Sequence, residues 1–589
     1  RLIRKITKPR ESGVLCFYVK IFFMEEKLKG LIKSAVKIED IDPKIEFPSD
    51  SKNGDFSTSV AMVLAKREGE KPLDLAQKIA SEIEKIKPEY ISKVEAVQPG
   101  FINFFLSKEY FSSEIKNVLE QDKNYGKSEL YKGKKILVEH SSPNLFKPFH
   151  IGHVMNNTIG EAISRLAKFS GATVTTISYP SDVSLGIGKA LLVLMEDGKD
   201  KLDSFLSDRE KLTYLGECYV RGTKLYDEDE KVVEKVKETT KVLYEKTPGE
   251  IFDLYNKCKE INLSYFKSVT KRLGSNFEDF IFESEAGEAG EKIVRENIGR
   301  VFEESEGAVI FRGEDRGLHT RVFINKEGFP TYEAKDIGLL FLKFERFSPD
   351  LSILITDNQQ APYYSVVLEA GSEINKDWKE KTVHRTHGRM SFKGQKMSSR
   401  LGGVPLATDV LNEILEEVLE KSPDLIIDGE VNLNSIPEKV AIASLKFSIL
   451  KSMAGKDINF DPETSLSFEG DSGPYLQYTA VRANSVLIKA KEAGLESEVI
   501  ETNSETSDLE KMISRFPKVV SLAIEEWAPH HISTYLLNLS QAFNSWYAST
   551  KILDLENKEA KHNLALTLAT KVVLTNGLNI LGIEVPEKM

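Results

Sequence analysis

Lys135-Ile136-Leu137-Val138-Glu139 reads as a buried strand, and the segment that follows it constrains the fold more than any other part of the chain. His150-Ile151-Gly152-His153 opens a run in which Met155, Ile159, Ala162, Leu166 and Phe169 recur at helical spacing. Ser170-Gly171 ends that run, and residues 173–179 give a second strand. A strand, a crossover helix and a second strand predict a doubly wound, Rossmann-like α/β sheet with ligands bound beyond the carboxyl ends of its strands. His150 and His153 stand at that end and at the amino end of the helix, where unpaired N–H groups and the helix dipole attract phosphate. Placed anywhere else, the tetrapeptide would be two ordinary histidines. Here the imidazoles are suited to bind a triphosphate and polarise it as charge builds at its α-phosphorus, and Gly152 is suited to let a ligand approach the backbone.

Around this core the 589 residues divide by pattern. Residues 24–121 carry a helical stretch at 73–86, a strand-like stretch at 94–107 and a tight turn at Asn53-Gly54, which together predict a small α/β unit. Residues 122–405 hold the doubly wound sheet. Lys/Glu-rich sequence of helical spacing interrupts it at about 190–305, and the sheet is expected to resume at 308–311 and 351–355. Residues 406–589 are helical almost throughout, with Leu564, Leu568, Val572 and Leu578 on one face, and predict an all-α C-terminal domain. Gly186-Ile187-Gly188-Lys189-Ala190 is not a phosphate-binding loop, because Val183 stands where the first glycine is needed and Ala190 where Ser or Thr is needed. It is read as packing at a helix start.

Composition removes several function classes. With 41% hydrophobic residues the chain can bury several cores, so it is neither disordered nor fibrous. Its three cysteines, Cys16, Cys218 and Cys258, lie far apart, which argues against a disulfide framework and a cysteine-based zinc site and points to a reducing cytoplasm. No apolar run approaches the roughly 20 residues that span a bilayer. Residues 1–23 carry six Lys/Arg and one acid without a periodic pattern, and Met24 reads as the natural start. Without that leader the formal charge falls from −11 to −16, since six of 80 basic and one of 91 acidic residues go with it. A chain this acidic would hold nucleic acid through local basic patches.

A second motif lies far downstream. Gly394-Gln395-Lys396-Met397-Ser398-Ser399-Arg400-Leu401-Gly402-Gly403 is a glycine-flanked loop with a lysine and two hydroxyls. Together with His150 to His153 it resembles the paired HIGH and KMSKS signatures of the class I aminoacyl-tRNA synthetases. Glu139-His140-Ser141-Ser142-Pro143-Asn144, Thr331-Tyr332-Glu333-Ala334-Lys335-Asp336, Gly473-Pro474-Tyr475-Leu476-Gln477-Tyr478 and the terminal Leu581-Gly582-Ile583-Glu584-Val585-Pro586-Glu587-Lys588-Met589 look like the arginyl-tRNA synthetase family in particular. The resemblance runs over residues 24–589.

It implies an ATP-dependent ligase that joins L-arginine to the terminal adenosine of tRNA-Arg through arginyl-adenylate. Magnesium would arrive with the nucleotide and need no dedicated protein site, and the enzyme would be a cytoplasmic monomer. Such chemistry needs a carboxylate held in line with the α-phosphorus and positive charge on the departing pyrophosphate, with little covalent help. The resemblance assigns catalysis to His150, Gly152, His153, Lys396 and Lys147, and ATP binding to His150, His153, Lys396, Met397 and Ser398. A guanidinium needs carboxylates facing its planar donors, and the resemblance places Glu139, Tyr332 and Asp336 there. Asn144, His150, Asp182 and Gln360 complete the arginine set. Residues 24–121 would touch the tRNA D-arm through Phe101 and Asn103, an aromatic to stack and an amide to read an edge. The helical C-terminal domain would bind the anticodon, with Tyr475, Gln477, Tyr478, Arg482 and Trp546 as contacts and Tyr547 and Asn576 as further candidates.

Two departures from the family pattern stand out. Ser399 replaces the second lysine of the KMSKS signature, and Lys147, just before the HIGH, is read either as its substitute or as a solvated loop charge. Ser181-Asp182-Val183-Ser184 keeps the aspartate of a GDWG-like turn and loses both glycines. The Lys396→Ala variant is expected to slow adenylate formation by roughly tens- to thousands-fold, the range for loss of one charge contact to a developing phosphate. Arginine affinity should barely change. Pre-steady-state pyrophosphate release measures the first and equilibrium arginine binding the second.

Overall fold

The computed structural model describes residues 23–589 apart from 49, 148, 394–405, 427–430, 501–504 and 555. The chain folds into two compact units, one comprising Arg1–Glu129 with Thr479–Leu522 and Thr534–Gly577, the other Leu130–Tyr478 with Ala523–Ser533 and Leu578–Met589.

In the first unit four short strands, β1 (Ile45–Glu46), β2 (Phe56–Thr58), β3 (Ile91–Val97) and β4 (Phe101–Leu106), form an antiparallel sheet in the order β1-β2-β4-β3. The helix Pro72–Ile86 buries Leu75, Ala76, Ile79, Ala80 and Ile83, its spacing of three and four residues giving one apolar face. The stretch 94–107, expected as one strand, is the inner part of the β3–β4 hairpin, because the chain turns at Gln98-Pro99-Gly100. Helices from the C-terminal part of the chain belong to this same unit. Lys511 pairs with Asp55 at 3.3 Å, Lys518 with Glu25 at 2.8 Å, and Asn576 Nδ2 donates to the carbonyls of Asp122 and Tyr125. The division expected at residue 406 therefore falls at Tyr478/Thr479 instead.

The second unit holds β5 (Lys135–Glu139), β6 (Thr173–Ser178), β7 (Asp279–Phe280), β8 (Glu303–Ser305), β9 (Ala308–Phe311), β10 (Arg321–Ile324), β11 (Leu351–Asp357), β12 (Thr382–His387), β13 (Met390–Phe392) and β14 (Ile458–Phe460). Five of these form a parallel sheet in the order β12-β11-β5-β6-β7. The chain winds outward from β5 through β6 to β7 and then crosses to β11 on the other side, so the order reverses between β5 and β11. In such sheets that crevice is where ligands bind. The helix Ile151–Phe169 leaves from it. Its apolar face, with Ile151, Val154 and Met155, lies in one core with Ala407, Val410 and Leu411 of the helix Ala407–Lys421 and Val440 and Leu445 of the helix Ile436–Leu450. Each large aliphatic side chain buried there contributes about 1.5–3 kcal/mol.

Two expectations about this region need correction. Ala308–Phe311 is not the resumed parallel sheet but the middle strand of a separate antiparallel sheet, β10-β9-β8. The insertion also ends earlier than expected. Its long helices are Asp208–Glu228, Glu230–Tyr244 and Glu250–Arg272, and β7 already returns to the main sheet beside β6. The glycine-rich stretch at 186–190 does start a helix, Leu185–Asp197, capped by Ser184. The last residues of the chain rejoin this unit. Lys446 Nζ donates to Gly582 O at 2.6 Å, and Arg165 Nη1 to Asn579 O at 3.2 Å.

The helices Glu283–Glu296 and Tyr332–Phe347 meet backbone to backbone. A Cβ on Gly290 would lie 1.8 Å from Ala334 O, and one on Gly338 would lie 1.9 Å from Ala286 O. Neither obstacle is a side chain that can rotate away, so the helices would have to separate. Gly338→Ala is expected to destabilise the protein by about 1–3 kcal/mol or more in urea titrations, as overpacking of a rigid contact does. It should also move Tyr332 and Asp336, the residues that the resemblance assigns to arginine, because the displaced helix carries both.

Candidate active site

The amino end of the helix Ile151–Phe169 is capped by its own histidines. Gly152 N–H donates to His150 Nδ1 at 3.1 Å, and His150 N–H donates to His153 Nδ1 at 3.1 Å. An imidazole that accepts at Nδ1 carries its proton, when neutral, on Nε2. Burial holds both rings neutral: it lowers the pKa of His153 to about 3, with His150 adding to the effect, and lowers that of His150, with Lys147 adding. Phe149 stacks on His153 with centroids 4.7 Å apart. The histidines are thus fixed neutral donors, not cations. A side chain at Gly152 is also opposed from within the fold, since a Cβ there would lie 2.9 Å from His150 Cε1, in the capping ring.

Lys396, Met397 and Ser398 lie outside the described residues. Their flanks do not. Leu406 bridges to His150, Ala407 N–H donates to Phe149 O at 2.8 Å, and Lys393 N–H donates to Phe460 O at 2.9 Å. One flank, Leu406-Ala407, is therefore joined to the first motif, and the other, Lys393, to β14. Lys147 is exposed, with Nζ 5.0 Å over the Tyr219 ring. Asn144 is exposed and bridges to Ser181.

A second cluster lies at the carboxyl end of β5. Glu139 is 2% exposed and accepts from Lys343 Nζ at 2.7 Å, itself 1% exposed. Glu283 is likewise buried and paired with Lys335, which also donates to Tyr244 OH at 3.2 Å. Asp336 differs from both. It is buried, it accepts from Tyr363 OH at 2.5 Å, and among the described residues no ion pair is formed by it. Burial raises its pKa to about 7; the Tyr363 hydrogen bond and Lys343 oppose the rise, and Glu139 and Glu283 add to it. Burial also lifts the Tyr179, Tyr363 and Tyr364 phenols well above their usual range. Three carboxylates against two ammonium groups leave the cluster able to take one more cation.

The other expected site residues sort by burial. Tyr332 stands on the first turn of its helix, 62% exposed, and Gln360 is exposed just beyond β11. Asp182 is not free for a ligand, because it is fully buried and accepts from Tyr255 OH, Lys259 Nζ, and both the N–H and hydroxyl of Ser284. Asn103, expected to read a base edge, is buried and accepts from Ser57 Oγ at 2.7 Å. Gln477 is likewise withdrawn from any RNA surface, 0% exposed, with Nε2 donating to Lys439 O and Glu584 O. Asn576 is spent on the carbonyls of Asp122 and Tyr125. Phe101, Tyr475, Tyr478, Arg482 and Trp546 are half-buried, and Tyr547 is exposed. Arg482 donates to Asn544 Oδ1 at 2.7 Å and lies 5.3 Å over the Tyr547 ring.

Lys343, Lys335, Glu283 and Tyr363 were not anticipated from sequence. A signal existed for one of them, because Lys343 interrupts an apolar helix seven residues after Asp336 and so returns to the same face.

Comparison with known proteins matches three successive parts of the chain. Residues 114–461 match the family described as tRNA synthetases class I (R), catalytic domain; residues 23–106 match the arginyl tRNA synthetase N terminal domain, and residues 476–589 the DALR anticodon binding domain. The last of these begins close to the Tyr478/Thr479 division. The arginine–tRNA ligase of Lactobacillus delbrueckii subsp. bulgaricus is 32% identical over 565 residues and that of Clostridium perfringens 30% over 566 residues, each match covering 94% of this chain and 97% of the relative. Among solved structures, the arginyl-tRNA synthetase of Thermus thermophilus shares the fold with a TM-score of 0.77 at 24% identity, over 96% of this chain and 100% of that one. The enzyme of Plasmodium falciparum does so with a TM-score of 0.78 at 19% identity, over 96% and 99%. With its catalytic match spanning more than half its length, the chain belongs to the class I arginyl-tRNA synthetase family.

Proposed function

We infer that this protein is an ATP-dependent arginine–tRNA ligase whose arginine pocket is the Glu139/Asp336 cluster and whose nucleotide seat is the capped helix end at His150. The single observation that carries the pocket assignment is Asp336, a buried carboxylate among paired ones, which lacks the cation that a guanidinium would supply. In the first step a carboxylate oxygen of arginine attacks the α-phosphorus, and the bond from that phosphorus to the bridging oxygen breaks with its electron pair leaving on pyrophosphate. The Nε2–H groups of His150 and His153 donate to the phosphate oxygens, while Lys396 follows the departing charge. Magnesium would supply further positive charge on the phosphates. Such an ion would arrive with the nucleotide. In the second step the 2′-hydroxyl of the terminal adenosine of tRNA-Arg attacks the arginyl carbonyl and AMP leaves. Phe101, Tyr475, Tyr478, Arg482, Trp546 and Tyr547 retain enough exposure to meet RNA. No helix among the described residues is long and apolar enough to cross a membrane. A monomer working in the cytoplasm, where tRNA and ATP are, completes the reading.

ATP–pyrophosphate exchange across the twenty amino acids, with and without tRNA, tests the activity. Exchange is expected with arginine alone and only when cognate tRNA is present. Exchange with another amino acid would refute the specificity.

The Asp336 assignment makes its own prediction. A cation binds the carboxylate form, so below pH about 7 arginine must displace a proton. The KM for arginine should therefore rise as pH falls below that point, by up to about tenfold per unit for one proton. Asp336→Asn should flatten the profile and raise the KM. A carboxyl whose pKa is raised in the folded state weighs against folding progressively from its unfolded range up to about 7, and fully above. Asp336→Asn should thus stabilise the free protein by ~2–4 kcal/mol at pH 8 and by much less at pH 5, read from urea unfolding. Lower stability of the variant at pH 8 would show that Asp336 is already paired.

A further inference from the structure

One side chain on the helix Ile151–Phe169 gathers the carboxyl ends of the central strands. Asn156 Oδ1 accepts from Ser141 N–H at 2.6 Å, just beyond β5. Its Nδ2 donates to Ile355 O of β11 at 2.9 Å and lies 3.0 Å from Nε2 of His387, the last residue of β12. The direction of the last bond is settled by the other ring nitrogen. His387 Nδ1 is 2.7 Å from Gly388 O, which can only accept, so the proton of the neutral ring sits on Nδ1 and Nε2 accepts. Both amide hydrogens and the carbonyl of Asn156 are therefore used, and no flip satisfies all three partners. Ser141 shows how firmly the network acts. It holds φ at +59°, a region that non-glycine residues seldom occupy, and its carbonyl accepts from Ser178 Oγ at the end of β6.

These partners are already aligned by the backbone ladders of the sheet, which run to Glu139 on β5 and to His387 on β12. The ladders do not reach Ser141, and they do not set the distance from the strand ends to the helix. Asn156 does both. The segment after Ser141 leads to His150, and the segment after His387 leads through Gly388 and β13 to the loop of residues 394–405. Asn156 is thus joined to both approaches to the reaction centre.

We propose that Asn156 is a positioning residue for adenylate formation, holding the segment that leads to His150 and the end of β12 at a fixed spacing through Ser141 and His387. This rests on the arginine-activation reading above. In-line displacement is sensitive to such spacing, and a misplacement of 1 Å costs on the order of 10²-fold in rate.

The test is ATP–pyrophosphate exchange by the full chain with arginine and cognate tRNA. Asn156→Ala should lower kcat about 10²-fold while the KM for arginine stays within about threefold, the split that marks loss of geometry rather than of ground-state binding. Asn156→Asp, which keeps the acceptor for Ser141 and loses both donors, should fall between wild type and Asn156→Ala. His387→Ala should lower kcat as well, and in combination with Asn156→Ala its effect should be strongly less than additive. Unchanged kcat in either Asn156 variant, a rise in KM with kcat intact, or additive effects in the double variant would overturn the proposal. Should Asn156→Ala fail to fold, the Asn156→Asp result decides by the same criteria. A wild-type protein that performs no exchange with arginine and tRNA would instead refute the activity reading, so the two failures are distinguishable.

Discussion

The buried pair of Glu139 and Lys343 is the contact on which the organisation of the site depends. A carboxylate 2% exposed at the end of a central strand cannot stay charged without a partner, and Lys343 supplies one at 2.7 Å from the helix Tyr332–Phe347. That bond draws the helix across the end of β5. The contact at Gly290 and Gly338 presses the same helix against Glu283–Glu296, where Lys335 and Glu283 repeat the arrangement. With both lysines committed, Asp336 is left with a phenol and no cation. The selectivity proposed for the pocket is thus the remainder of a charge balance whose other members serve the fold. A buried lysine–glutamate pair is weak evidence of stability taken alone, but here it orients a helix whose next acidic group is the one a substrate meets.

Much of this was legible in the chain, and for physical reasons. β5 begins and ends where the apolar run with charged flanks predicts, because a strand covered on both faces has no polar positions to blur its limits. The helix at 72–86 and the crossover helix after His150 were equally clear from their spacing. The hairpin at 91–106 was missed because the turn signal Pro99-Gly100 lies inside one strand-like run, and strand pattern continues on both sides of it. Ala308–Phe311 reads as a core strand and is one, but pattern alone does not say which sheet receives it. Asp182 and Gln477 are spent inside the fold for a common reason: polar residues of apparent functional type are also what buried turns and helix junctions use to satisfy their own donors and acceptors. Burial separates the two uses, and burial is a property of the fold.

The C-terminal boundary illustrates the same limit at larger scale. Helical periodicity is continuous from residue 407 onward, yet Ala407–Lys421 and Ile436–Leu450 share a core with the crossover helix, whereas later helices share one compact unit with the amino-terminal sheet. The last residues return again, their carbonyls holding Lys446, Arg165 and Gln477. A core that draws on residues 578–589 cannot close until those residues have left the ribosome.

The reciprocal cap at His150 and His153 has a bearing on the direction of the chemistry. On the proposed reading these rings give hydrogen bonds to phosphate without transferring a proton: each holds its hydrogen on Nε2 because Nδ1 accepts, and burial disfavours a second on both. A site that uses general acid catalysis must be reset before it can run backwards, because its acid leaves the first passage as a base. Here the protonation state before pyrophosphate leaves is the same as the state after. The enzyme then stands equally ready for the forward and reverse reactions, and commitment to product must come from what happens to the adenylate next.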